Sequence, residues 1–243
     1  MRVIAIVQAR MGSTRLPGKV LKQLGGRSVL SWVIARVRQF SRIDSLLIAT
    51  TVEPADEAVV KEAERCSAEV FRGNESDVLD RYYRGACHAG ADVIVRITSD
   101  CPLIDPEVSD HTIQKFLDER PDYASNGLER TYPRGLDTEV LKSSALERAW
   151  REASEPYQRA HVTPYLYQNP DKFRLLSVKG EADFSGYRWT LDTQEDAEFL
   201  QEVFARLGGS VDFTWRDVLR LLEREPALAE INQQIRQKAL REG

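Results

Sequence analysis

The chain has 243 residues, enough for one large α/β domain with a substantial core. Hydrophobic residues make up 42% and charged residues 30%, the balance of an ordinary soluble globular protein. The net charge of −4, from 34 basic and 38 acidic residues, supplies no overall basic field for nucleic acid, and three cysteines (Cys66, Cys87, Cys101) without a CxxC pair argue against a disulfide framework or a structural zinc.

The opening MRVIAIVQAR has a short apolar run that soon meets Gln8 and Arg10, so it reads as a strand and not a signal peptide. No apolar stretch approaches the ~18 residues of a membrane helix, and a cytoplasmic location is the expectation. After the strand VIAIVQ (3–8) the pattern predicts a helix over 28–40 with Ser28 as its N-cap. SLLIATT (45–51) leads to a helix opening at Pro54, AEVF (68–71) to one after Ser76, and DVIVRIT (92–98) to one after Asp105-Pro106. Such regular alternation predicts a three-layer α/β/α fold around a mostly parallel sheet.

Between about 121 and 170 the rhythm changes. Two short extended runs flank a turn-rich stretch, and helical patterns follow over 143–153 and 156–168. The expectation is a single domain over 1–243, interrupted near 126–170 by a module for substrate binding or dimerisation. Strands over 172–179 and 187–191, then helices near 193–207, 214–224 and 227–240, complete the chain.

QARMGSTRLPGKVL (8–21) follows the first strand directly and packs Arg10, Gly12, Arg15, Gly18 and Lys19 into ten positions. Glycines let backbone N–H groups approach a phosphate, and the cations neutralise it. A Walker A loop does not fit: five residues separate Gly12 from Gly18 where that motif has four, and Val20 stands where it needs Ser or Thr. Two further segments end apolar runs with a carboxylate, Asp100 in TSDCPLIDP and Asp192 in RWTLDTQEDAEF. A single strand-end Asp is most often a helix N-cap, as expected for Asp105. Two of them beside a phosphate-type loop point instead to a site for a hard cation.

QARMGSTRLPGKVL resembles the opening motif of the cytidylyltransferases that activate acidic sugars, the CMP-Kdo synthetase and acylneuraminate cytidylyltransferase families. With FRGNESDVLDRYY (71–83), TSDCPLIDP, NGLERTYPRGLDTEV (126–140), RAHVTPYLYQNPDKF (159–173) and RWTLDTQEDAEFL, the chain most resembles the spore coat polysaccharide biosynthesis protein F branch. The resemblance implies a nucleotide-diphospho-sugar transferase-like fold and transfer of CMP from CTP to an acidic sugar or related acceptor, with release of pyrophosphate. It implies that Ala9, Arg10, Gly12, Ser13, Arg15, Lys19, Arg72 and Asp100 contact the nucleotide, with Arg15, Lys19 and Asp100 catalytic, and that Asp100 and Asp192 bind Mg2+. An acidic acceptor needs its own cation, for which Arg130, Arg134 and Arg159 are candidates, and His161, in a branch motif, is a further candidate for the substrate pocket. Gln8 and TSDCP depart from the proline-containing and glutamine-containing forms of the sugar-acid enzymes, which leaves base and acceptor open. A glycosyltransferase using a preformed sugar nucleotide, or a non-catalytic member of the fold, are the alternatives. The face carrying Tyr157, Tyr165, Leu166 and Tyr167, together with the resemblance, suggests a homodimer.

Overall fold

The structure, a computed structural model, describes residues 1–239. Its centre is a seven-stranded sheet in the order β5-β4-β1-β6-β8-β7-β9, built from β1 (Val3–Gln8), β4 (Ser45–Thr51), β5 (Glu69–Gly73), β6 (Val93–Thr98), β7 (Tyr123–Ser125), β8 (Glu139–Lys142) and β9 (Leu175–Ser177). Only β8 runs against the others. A separate two-stranded ribbon, β2 (Gln23–Leu24) with β3 (Arg27–Ser28), lies just before the first helix.

The strand β1 is buried on both faces, which is why it reads as an unbroken apolar run. Val3, Ala5 and Val7 pack with Val33 and Ile34 of α1 (Val29–Val37), Val59 of α2 (Glu57–Arg65) and Ile113 and Phe116 of α4 (Pro106–Glu119). Ile4 and Ile6 face the opposite layer, with Leu79 and Tyr82 of α3 (Val78–Ala89) and Leu146 of α5 (Ser143–Glu152). Three layers result. A third apolar cluster joins Trp32 of α1 to Phe199 and Phe204 of α8 (Gln194–Arg206) and Trp215 of α9 (Trp215–Arg224).

The caps fall where side-chain chemistry places them. Ser28 accepts from Ser31 N, and Asp105 accepts from Val108 N with Pro106 in the first turn. Residues 126–170 contribute β8 to the main sheet, and their apolar side chains Leu146, Val162, Tyr165 and Leu166 belong to the same cluster as Ile4 and Ile6. The apolar face of this segment is therefore covered largely within the chain.

Three expectations fail in detail. Residues 156–168 form two short helices, α6 (Pro156–His161) and α7 (Pro164–Tyr167), because Pro164 has no N–H to continue the ladder. The segment 187–191 is no sheet strand; it makes one isolated bridge, Arg134 with Arg188, and its end is drawn to Asp100, whose carbonyl accepts from Leu191 N at 2.8 Å. The last helix, α10 (Ala227–Glu230), is one turn long; Asn232 beyond it is buried, its amide donating to Arg188 O and to Asp196. Position 240 of that expected helix lies outside the described residues.

Two packing constraints give stability predictions. Arg36 is fully buried and donates to the carbonyls of Ile104, Val211 and Phe213 and to Asp105 Oδ2. Burial pulls its pKa down to about 10 even against Asp105, and burial likewise pushes Asp105 up. Arg36→Ala would leave that carboxylate uncompensated and is expected to cost about 3–5 kcal/mol in urea unfolding. At Gly135, with φ +110°, an added Cβ would stand 2.7 Å from the Trp189 carbonyl carbon and 3.0 Å from Thr190 N, backbone atoms that cannot swing aside. Gly135→Ala is expected to destabilise by about 1–3 kcal/mol in the same measurement.

Candidate active site

The chain runs from β1 outward to β4 and β5 on one side, then crosses to β6 on the other side of β1. The carboxyl ends of β1 and β6 therefore flank the point where strand order reverses, the place where ligands enter open α/β sheets. The loop after β1 and the loop after β6 both begin there.

The first loop is shaped by its own backbone. Met11 O accepts from Ser13 N and Gly18 N, and Met11 N donates to Asp56 Oδ1 at 2.6 Å. Gly18, at φ +70°, ends the loop in the left-handed region and starts the short 3-10 turn Lys19–Leu21. That turn sends Lys19 across the cleft. Its Nζ donates to Asp100 Oδ2 at 2.7 Å, Asp192 Oδ1 at 2.8 Å and Leu191 O at 2.8 Å. Two carboxylate oxygens on one ammonium lie no further apart than the sum of those contacts, inside the ~8 Å limit for sharing a magnesium ion through water. Burial alone would make Lys19 easier to neutralise, but the two carboxylates outweigh it and raise its pKa. Burial would likewise raise Asp100, and Lys19 outweighs that, holding Asp100 down at about 2. The pair is charged at neutral pH.

Asp192 is not the N-cap of α8. Thr193 fills that position and forms a reciprocal capping box with Asp196, which leaves the Asp192 carboxylate free for the cleft. Its Oδ2 receives Arg15 at 3.1 Å and Arg188 at 3.0 Å. Arg188 in turn is gripped by both oxygens of Asp196 and by Gln237, and Asp196 also accepts from Asp192 N, Thr193 N and Asn232. Burial would raise the Asp196 carboxyl, but Arg188 and Asn232 overcome it and keep it below the usual range. The sequence reading missed Arg188, Asp196 and Asn232 as site supports. The four-residue spacings from Arg188 to Asp192 and from Asp192 to Asp196 were their only local signal.

The remaining candidates divide. Ala9 is buried in the floor, its N–H on Ala49 O; Gly12 lies against Glu75, and Ser13 Oγ accepts from Leu16 N. Arg10 extends over Glu75 at 3.7 Å, half exposed. Arg72 is tied to Thr51 O, Glu53 O and Glu57, beside the segment whose Asp56 holds Met11. Arg130 is paired with Asp137, which also accepts from Gly135 N. Arg134 is half-buried, and its side chain makes no hydrogen bond or ion pair among the described residues. Burial, then Arg130 and Arg188, hold its guanidinium below its ordinary value, against the opposing pull of the Asp137 carboxylate and of Cys101. Arg159 is spent on structure: it binds Asp77, the N-cap of α3, and the carbonyls of Trp150 and Ala153.

His161 closes α6, and its carbonyl accepts from Thr163 N across Val162, at φ +74° and ψ −58°. This is the strained hand of γ-turn, in a buried β-branched residue. The turn points Thr163 Oγ1 at Glu139, which also takes Tyr123 and Arg96; Arg96 reaches on to Gln8 at the end of β1. Sequence reading did not single out Glu139 or Arg96. Cys101 is buried and its thiol pushed up by burial and by Asp100, so it is no nucleophile.

The donor set fits a hard divalent cation: two converging carboxylates, with room in its coordination for phosphate and water oxygens. Among the described residues no cluster of three or more His, Cys, Asp or Glu stands ready to hold a metal on its own. No helix among them is long and apolar enough to cross a membrane.

A family model described as cytidylyltransferase matches residues 4–232. The chain is 35% identical over 238 residues to the spore coat polysaccharide biosynthesis protein SpsF of Bacillus subtilis, covering 93% of this chain and 96% of that one. A solved cytidylyltransferase of Leptospira borgpetersenii is 34% identical, with a TM-score of 0.91 over 98% of this chain and 100% of its own. A CMP-2-keto-3-deoxy-manno-octonic acid synthetase solved with CTP shares the fold, with a TM-score of 0.65 at 18% identity over 85% of this chain and 99% of that one. Matched over nearly its whole described length, the chain belongs to the cytidylyltransferase family.

Proposed function

We propose that the chain transfers CMP from CTP to an acidic sugar or related acceptor in glycan precursor synthesis, releasing pyrophosphate in an Mg2+-dependent reaction. The observation that carries this reading is Lys19 set between Asp100 and Asp192 at the strand-order reversal, next to a glycine-rich basic loop. The SpsF relative supports a polysaccharide setting, and the synthetase solved with CTP supports the nucleotide.

In such a transfer an acceptor oxygen bonds to the α-phosphorus as the bond to the bridging oxygen breaks. The acceptor hydroxyl loses its proton and pyrophosphate leaves with the electron pair. The protein has little covalent work to do, so positioning and charge neutralisation dominate. Arg15 and Lys19 would neutralise the negative charge that gathers on the departing pyrophosphate. Arg10, half exposed at the loop's outer side, extends that field. Asp100 and Asp192 would hold Mg2+, whose chemistry when bound is to neutralise and orient phosphate oxygens. Arg134 is the group for the acceptor's anion, being half-buried and, among the described residues, without a hydrogen bond or ion pair of its own. Arg130 and His161 are the further acceptor candidates, and Arg130 is already turned to Asp137.

Pyrophosphate release, screened with CTP, UTP, GTP and ATP against a panel of acidic sugars, tests the assignment. CTP is expected to support turnover and chelation of divalent cations to abolish it; no release with any triphosphate would refute it. Arg134→Met is expected to raise KM for the acceptor by about tenfold or more, the scale of a lost charge-assisted hydrogen bond, and to leave KM for CTP nearly unchanged. An equal rise for both substrates would remove Arg134 from the acceptor's side.

A further inference from the structure

An ammonium group has three protons to donate, and all three of Lys19's are committed, to Asp100, Asp192 and Leu191 O. Nothing is left for a phosphate. The lysine assigned to the triphosphate is thus, without nucleotide, fully occupied by the two carboxylates assigned to the metal and by one backbone carbonyl. Those carboxylates are largely shielded, with side-chain exposures of 23% for Asp100 and 11% for Asp192. Two like charges so close favour a shared cation between them, and Lys19 is the one cation that touches both, Arg15 and Arg188 reaching Asp192 alone among the described residues.

We propose that Lys19 is the resident counter-cation of the Asp100–Asp192 pair and competes with the divalent metal for the same oxygens, so that nucleotide binding admits the metal by drawing Lys19 away onto phosphate. The inference rests on the proposed function for the identity of the nucleotide. The two sides of the contact differ in how firmly they are held. Asp192 is fixed from behind by Arg188 and by the Asp196 carboxylate that receives its own N–H. Lys19 carries its charge on a flexible four-carbon stem, rooted in a three-residue turn after a left-handed glycine. Motion therefore belongs to the lysine. Two consequences follow: the nucleotide-free chain binds divalent cations weakly, and nucleotide and metal raise each other's affinity by the same factor.

The test titrates Mn2+ alone into nucleotide-free protein, reading the free aquo ion by paramagnetic resonance. Lys19→Met and Lys19→Gln are each expected to bind Mn2+ about tenfold tighter than wild type or more, because the competing cation is gone while both carboxylates remain. Arg15→Met removes a charge that also touches Asp192, at 3.1 Å, but leaves the shared ammonium in place; its gain is expected to be clearly smaller. Circular dichroism confirms folding of each variant, and Lys19→Gln decides if Lys19→Met does not fold. Unchanged or weaker Mn2+ binding in the folded Lys19 variants overturns the exchange. So does an equal gain in Arg15→Met, which would mark a general effect of lost positive charge. The functional reading fails separately: tighter Mn2+ binding by the Lys19 variants beside a wild type that releases no pyrophosphate would leave a lysine-guarded cation site without its proposed nucleotide.

Discussion

One ammonium group holds the cleft together. Lys19 follows β1, Asp100 follows β6, and Asp192 precedes α8, so three segments far apart in sequence meet at a single nitrogen. Each contact is charge-assisted and shielded, the situation in which hydrogen bonds are strongest and in which losing one partner is most costly. The rest of the architecture serves this meeting. A parallel sheet with its order reversed beside β1 brings the loop ends to the same edge, and the glycine at 18 lets the chain turn Lys19 inward.

What stands behind the carboxylates matters as much as what faces them. A strand-end aspartate at a helix start would ordinarily cap that helix and lose its freedom to act. Here Thr193 and Asp196 perform the capping, and Asp196 also holds Arg188, so Asp192 is released to the cleft and oriented in one step. Asn232 and Gln237 extend the support into the C-terminal segment. That recruitment explains why the chain leaves helical geometry after Glu230: the buried Asn232 amide satisfies Arg188 O and Asp196 across the fold.

The alternation of strands and helices was legible because both faces of the sheet are covered, which makes its first strands continuous apolar runs. Lys19, Arg15, Asp100 and Asp192 drew notice for a related reason: Asp100 and Asp192 each lie within two residues of an apolar run, and Arg15 and Lys19 lie in the basic glycine-containing loop that leaves the first strand. Less visible was everything fixed by long-range hydrogen bonds. YRWTL has the composition of a strand, yet its end pairs with the loop at Asp100 and not with a neighbouring strand. Arg159 has the look of an anion site but is spent on the Asp77 cap, a contact 82 residues away. Val162 carries no sequence mark of its positive φ, since a β-branched residue is disfavoured there; its own N–H on Gln158 O and the bonds from Thr163 to His161 and Glu139 hold it.

The distribution of charge partners finally separates the arginines and lysine of the cleft by task. Lys19, Arg15 and Arg188 share carboxylates, and Arg130 has Asp137, so each is electrostatically satisfied before any ligand arrives. A satisfied cation does not attract an anion strongly; it positions neighbours and responds when they are replaced. Arg134 differs. Its backbone is locked to Tyr187 and Trp189 and followed by a glycine with no space for a side chain, while its guanidinium is half-buried, with Asp137 in electrostatic reach but no hydrogen bond or ion pair among the described residues. Burying a charge without a hydrogen-bonded partner is costly, and a guanidinium held in that way can gain from an anion supplied from outside. The shared cations thus fit a multiply charged, metal-accompanied phosphate chain that can exchange with them. Arg134, which has no ion pair among the described residues, would suit a single acidic group, and the acidic acceptor proposed above rests on that difference.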